Sequence, residues 1–207
     1  MKKVFNFNKW ATNKIAVFHM MRQPGQLLGN LDLLNIPYDI FEVEKLGKID
    51  NFKDLEEKYC GIIISGGLIE PYHVPPAMPE AALNCKLPKL GICLGHEILG
   101  EHLGSELIPC NQGRIKDSGE TLADLKDDII FEGIDISQKQ MVKMEHYLML
   151  KETPPGAKLI ASTNLTPIAG FHHTKKEIWG LQFHPEKDWM HETIFNNFYK
   201  HCYDKIK

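Results

Sequence analysis

Cys93 stands between two glycines in Pro88-Lys89-Leu90-Gly91-Ile92-Cys93-Leu94-Gly95-His96, with an apolar run before it and a helix-forming run after it. A thiol at a strand-to-helix turn is placed for nucleophilic attack. The free amides and positive end of the helix lower its pKa toward the thiolate. The amide of Leu94 can donate to an oxyanion formed on the attacked carbonyl. Glycine two residues to either side has a steric cause: the nucleophile takes a strained backbone conformation, and neighbouring side chains would collide. On the pentapeptide alone, a chance turn holding a buried thiol fits equally well.

The companion residues weigh on that choice. Gly66-Gly67 closes the apolar run Gly61 to Ser65 and offers a second amide donor, because ligands bind outside the carboxyl ends of parallel strands. Gly180-Leu181-Gln182-Phe183-His184-Pro185-Glu186 supplies a base and a group to orient it. With a rigid proline between them, Glu186 can accept from one ring nitrogen of His184 while the other faces Cys93. His19, His73, His102, His172, His173, His191 and His201 are read as surface or core histidines. Adjacent His172 and His173 point to opposite sides of a strand, which disfavours a shared metal site.

The elements that must position these groups follow from periodicity. Strands are expected at Lys14 to His19, Tyr38 to Val43, Gly61 to Ser65 and Leu87 to Ile92. Helices are expected at Gln26 to Leu34, Phe52 to Tyr59, Ala81 to Cys85 and Leu94 to Leu103. This alternation implies βαβ units and a parallel sheet. The second half reads as short strands near Thr121 to Leu125, Gln140 to Met144, Lys158 to Ser162, Pro167 to Phe171 and Ile178 to Phe183. A terminal helix follows over Asp188 to Tyr199. Residues 1–13 are polar and form an expected extension, leaving 14–207 as one α/β domain with a small antiparallel excursion.

Composition limits what else the chain can be. At 207 residues, 43% hydrophobic and 25% charged, it has the make-up of an ordinary globular domain. A net charge of −3 and no basic run beyond Lys175-Lys176 argue against nucleic acid as a partner. Nothing approaches the ~18 apolar residues of a membrane span, and no signal peptide is evident, so a cytoplasmic location is expected. Five cysteines without a CxxC exclude a zinc ribbon or disulfide framework. Cys60, Cys85, Cys110 and Cys202 are read as small buried hydrophobes. No metal or cofactor is called for.

Leu90 to His96 together with Gln182 to Glu186 resembles the class I (triad) glutamine amidotransferases, and Ser65-Gly66-Gly67 resembles their oxyanion strand. The resemblance runs from about Lys14 to Cys202. Within the family it is nearest to the free-standing glutaminase subunit of GMP synthetase, as Pro154 to Ala161, Thr166-Pro167-Ile168 and Trp179-Gly180 suggest. It implies the family's flavodoxin-like α/β fold, with a central mostly parallel sheet flanked by helices. It further implies a Cys93, His184 and Glu186 triad and oxyanion amides at Gly67 and Leu94. Glutamine would be the substrate, and a glutamyl thioester the intermediate. Family members deliver ammonia to a synthetase that activates its acceptor with ATP. No SGGxDS or GxxxxGK[ST] loop occurs here, so an ATP-pyrophosphatase or other synthetase subunit is expected as a separate chain.

Three positions depart from the family. Glu97 replaces a glutamine that helps hold substrate. A carboxylate there would raise the Cys93 pKa unless protonated or neutralised; it either grips the substrate α-ammonium or points away as a steric substitute. Glu145-His146-Tyr147-Leu148 stands where the synthetase glutaminases read Ser-His-x-Asp, so His146 and Tyr147 border a reshaped pocket. Leu68 replaces a proline. The competing reading keeps the triad in a stand-alone γ-glutamyl hydrolase or peptidase, and a non-catalytic binding or regulatory subunit stands third.

Overall fold

Three central strands owe their position to sequences that are apolar on both faces. Tyr59–Ile64 (YCGIII), Lys89–Ile92 (KLGI) and Ile178–Leu181 (IWGL) are buried at every residue, as expected of parallel strands covered by helices on either side. The computed structural model describes residues 13–20, 25–43, 52–67, 78–110 and 117–207. The expected extension, apart from Asn13, and Leu68 lie outside the described residues.

In chain order the elements are β1 (Lys14–His19), α1 (Gln26–Leu33), β2 (Tyr38–Glu42), α2 (Leu55–Lys58), β3 (Tyr59–Ile64), α3 (Glu80–Asn84), β4 (Lys89–Ile92) and α4 (Leu94–His102). The second half comprises β5 (Leu107–Pro109), β6 (Asp117–Leu125), β7 (Gln140–His146), β8 (Leu148–Leu150), β9 (Lys158–Ser162), β10 (Gly170–His173), β11 (Ile178–Leu181) and α5 (His191–Asp204). Among the described residues the main sheet has nine strands in the order β2-β1-β3-β4-β11-β10-β9-β6-β7, and β5 and β8 form a separate pair. Strands β2, β1, β3, β4 and β11 are mutually parallel. From β11 outward the pairing is antiparallel. The 2-1-3-4-5 order of the parallel part is the flavodoxin-like one.

Alternation splits the core between the two faces of this sheet. Ile15, Val17 and Ile63 pack with Leu27, Leu28 and Leu31 of α1 and with Ile194, Phe195 and Phe198 of α5. Ala16, Phe18, Ile62 and Ile64 pack with Ala82 of α3 and with Leu94 and Leu99 of α4. At the outer edge β7 alternates buried and exposed residues, the signature of a half-covered strand.

Several boundaries differ from those that periodicity suggests. The expected helix over Phe52 to Tyr59 divides into a 3-10 turn, Phe52–Asp54, and the single turn of α2, because Tyr59 already pairs with β1. The strand expected at Pro167 to Phe171 lies at Gly170–His173, and the terminal helix starts three residues later and extends to Asp204. Strands β5 and β8 are additional to the expected elements. Three-residue segments hold too little pattern to register, and their pairing joins residues about 40 apart, Leu107 with Leu150 and Pro109 with Leu148.

Candidate active site

Adjacent parallel strands end on the same edge of a sheet, so the residues following β3, β4 and β11 emerge side by side. They are Ser65-Gly66-Gly67, Cys93 and Gln182 to Glu186. Cys93 caps the N-terminus of α4 with φ 50° and ψ −104°, a left-handed φ that costs a non-glycine residue energy. Its amide donates to the Leu181 carbonyl at 2.8 Å, and its carbonyl accepts from the Glu97 amide at 3.1 Å, which fixes the turn from both sides. The turn is so tight that a Cβ at Gly95 would fall on the Ile64 carbonyl and one at Gly91 on the Gly95 carbonyl. Backbone, not a movable side chain, occupies both places.

Gly66 is flanked by the other two elements: a Cβ there would lie 3.1 Å from Cε1 of His184 and 3.4 Å from Cβ of Cys93. Gly67 faces Leu94 and Met20. The Ser65 hydroxyl holds the chain before this pair, accepting from the Met20 amide and donating to the Gly66 carbonyl, both at 2.9 Å. His184 and Glu186 are both about nine-tenths covered, and Nδ1 of His184 lies 2.7 Å from Oε1 of Glu186. Asn30 on α1 anchors this segment through the Glu186 carbonyl at 2.9 Å. Nε2 of His184 is buried and makes no hydrogen bond. The Cys93 thiol donates instead to the Glu145 carbonyl, at 3.5 Å.

A cavity of about 20 Å³ at the thiol is lined by Gly67, Cys93, Glu97, Glu145, His146, Tyr147 and Leu148, room for roughly one water. His146 is set by the Leu148 carbonyl, 2.7 Å from Nδ1, and by Thr166 Oγ1, 3.3 Å from Nε2. Cys110 also touches His146, its sulfur 3.3 Å from Nδ1, so this thiol helps hold the cavity wall and is more than core filling. The five cysteines are all free.

Electrostatics differ from the simple helix-terminus expectation. Burial pushes the Cys93 thiol well above its ordinary pKa, and the nearby Glu97 and Glu186 carboxylates push it further. The Leu94 amide and Lys187 oppose this without reversing it. The resting group is therefore a thiol, and ionising it requires a base. Glu97 is buried at the cavity wall and is itself raised to about 8 by desolvation, against a hydrogen bond from Gln182. Nε2 of Gln182 donates to Oε1 of Glu97 at 2.9 Å. Glu97 thus lines the cavity rather than pointing away, and it is mostly a neutral acid at pH 7.

Sequence patterns alone assign no role to Gln182, nor to Lys187, whose ammonium pairs with Glu145 at 2.7 Å. Gln182 and Glu97 are 85 residues apart, and no local pattern announces such a contact. For Lys187, its position directly after Glu186 is the one hint the sequence holds.

Because the folded state raises the Glu97 pKa from 4.5 to about 8, it binds a proton that the unfolded chain releases. Its contribution to stability therefore falls as pH rises through that interval. Glu97→Gln is expected to flatten the decline and to gain a few kcal/mol, at most ~5, near pH 9. Urea unfolding of both proteins at about pH 6 and pH 9 checks this; parallel profiles would contradict it.

The class-I glutamine amidotransferase family matches residues 25–202. A GMP synthase [glutamine-hydrolyzing] of Clostridium acetobutylicum is 35% identical over 162 residues, covering 74% of this chain and 30% of that protein. The enzyme of the same name from Caldanaerobacter subterraneus is 32% identical over 172 residues, covering 81% and 31%. The chain thus spans about 30% of the length of these relatives. A crystal structure from Thermoplasma acidophilum, provisionally assigned to a GMP synthase subunit, superposes with a TM-score of 0.73 over 93% of this chain and 96% of that one, at 21% identity. At that identity the likeness speaks to fold alone. The chain belongs to the class-I glutamine amidotransferases, and the relatives place it near the glutaminase part of GMP synthases.

Proposed function

We propose that this protein hydrolyses the side-chain amide of glutamine through Cys93, His184 and Glu186 and supplies the ammonia to an ATP-dependent synthetase. The observation that carries this reading is the convergence of a strained cysteine, a glycine pair and a carboxylate-bound imidazole at the ends of three neighbouring strands.

His184 Nε2, unpaired in the resting site, accepts the thiol proton as sulfur attacks the γ-carboxamide carbon. This concerted transfer suits a thiol too deeply buried to ionise alone. The amides of Gly67 and Leu94 donate to the developing oxyanion. Collapse breaks the carbon–nitrogen bond, His184 returns the proton to the leaving nitrogen, and ammonia departs from a glutamyl thioester. His184 then deprotonates a water that attacks the thioester, and glutamate leaves as the thiol is restored. Glu186 keeps Nδ1 of His184 protonated and the ring aligned throughout. Glu97 faces the substrate α-ammonium, which would restore its charge and neutralise it at once; His146 and Tyr147 frame the same pocket.

The small cavity sets a condition on this cycle. Glutamine needs more room than about 20 Å³, so the lining must widen, and the contact between the thiol and the Glu145 carbonyl is one that widening would break. A synthetase docking near this corner would favour the open state, and the relatives named GMP synthase suggest that the acceptor chemistry is theirs. The test is ammonia release from glutamine by the purified protein, alone and with a GMP synthetase ATP-pyrophosphatase subunit, its nucleotide substrate and ATP. Release that rises when the subunit is loaded supports the proposal. Turnover of γ-glutamyl amines in preference to glutamine, unaffected by the subunit, would favour a stand-alone γ-glutamyl hydrolase.

A further inference from the structure

The Lys175-Lys176 pair, as long as any basic run in the sequence, lies in the turn between β10 and β11, at the end of the parallel sheet opposite Cys93. Lys89 at the start of β4 pairs in register with Ile178 at the start of β11, and this places the turn beside the floor of a second cavity. That cavity measures about 320 Å³, and its lining includes Lys86, Lys89, His102, Lys175 and Lys176, with Glu177 the one carboxylate among the described residues. It is of a size to hold a small molecule. In a chain of net charge −3, four lysines around one hollow make a local reversal of sign.

Lys89 feels the Glu56 carboxylate and His102 that of Glu80, yet among the described residues none of the four lysines forms an ion pair. Lys89 is only 1% exposed, and its ammonium is held by the carbonyls of Cys85 at 2.5 Å and Leu87 at 3.0 Å, leaving one of its three N–H donors unused. Among the described residues, the side chains of Lys86, Lys175 and Lys176 form no ion pair. The nearby carboxylates also hold other partners. Glu177 faces Lys205 and, at 3.4 Å, His201; Glu80 accepts from the Asn84 amide at 2.8 Å, and Glu56 accepts from the Lys86 backbone at 2.6 Å. Burial lowers the His102 pKa, and the charges of Lys176 and Lys89 lower it further against the opposing pull of Glu80. The four ammonium groups therefore repel one another around the hollow, Lys89 from a buried position and Lys86, Lys175 and Lys176 from exposed ones, and an anion would relieve this.

We propose that this cavity binds a small phosphorylated molecule, its phosphate held by Lys89 from the floor and by Lys175 and Lys176 from the turn. Lysine ammonium groups suit a phosphate as compact point charges. Leu83 and Ile178, also in the lining, give an organic portion an apolar wall. The site is independent of Cys93 and of the proposed glutaminase reaction.

Calorimetric titration of the full chain with inorganic phosphate, pyrophosphate and adenosine monophosphate, at constant ionic strength in sodium chloride, tests the proposal. One saturable site is expected, weakened at least ~10-fold in the exposed double variant Lys175→Glu, Lys176→Glu, as loss of two charge-assisted contacts requires. Lys89→Met should remove binding. Should that buried substitution impair folding, the exposed pair decides, with circular dichroism confirming its fold. Tighter binding of the nucleotide than of pyrophosphate would identify an ester with an organic group, and the reverse order a polyphosphate. No saturable binding, an unchanged affinity in the double variant, or equal affinity for sulfate would overturn the proposal.

Discussion

Cys93→Ser is expected to lower kcat for glutamine hydrolysis by about 10⁴-fold or more while leaving the fold and its stability nearly unchanged. The hydroxyl occupies almost the same space at a position that is 3% exposed, so packing is conserved and the loss isolates the chemistry. A serine hydroxyl is far harder to deprotonate than a thiol. Steady-state ammonia release, read beside thermal unfolding of both proteins, measures the effect. A loss below about 10-fold would remove Cys93 from the role of nucleophile.

The second large effect concerns the backbone beneath that cysteine. Gly95→Ala is expected to destabilise the protein by roughly 3 kcal/mol or more, and to prevent folding if the native margin is small. A Cβ there meets the Ile64 carbonyl of β3, which cannot rotate away without breaking the sheet beside the site. Gly29 provides the control. It sits inside α1 with nothing within 4 Å of an added Cβ, so Gly29→Ala should stabilise by about 0.5–1 kcal/mol. Paired urea titrations distinguish a steric requirement from a general preference for alanine. Equal tolerance at both positions would show that the turn does not depend on glycine for the reason given.

The contrast between these glycines marks what can be seen in a linear sequence. The strand-turn-helix around Cys93 is legible because its parts are contiguous: an apolar run, two glycines at fixed offsets and a helical run. The proximity of His184 and Glu186 is legible for the same reason, with only a proline between them. Alternating periodicity also implies a parallel sheet, since β3, β4 and β11 are buried on both faces. Its strand order is settled by long-range pairing, which no local window contains.

What escapes is of that second kind. Glu97 stands out as a residue type, but its state depends on Gln182, a neighbour brought in by β11. The helix terminus, local and visible, predicts a lowered thiol pKa, whereas the burial that outweighs it is a property of the assembled sheet. The contact between the thiol and the Glu145 carbonyl likewise arises only when β7 is folded against the segment that follows β11, where the His184 amide donates to the Lys143 carbonyl at 2.9 Å.

Acid-quenched mass spectrometry of the protein mixed with glutamine tests the central claim most directly. A glutamyl adduct on the peptide containing Cys93, transient during turnover and absent in Cys93→Ala and in unreacted protein, is the expected result. Ammonia release that continues at the full rate in Cys93→Ala, with no adduct on that peptide in the wild type, would contradict it.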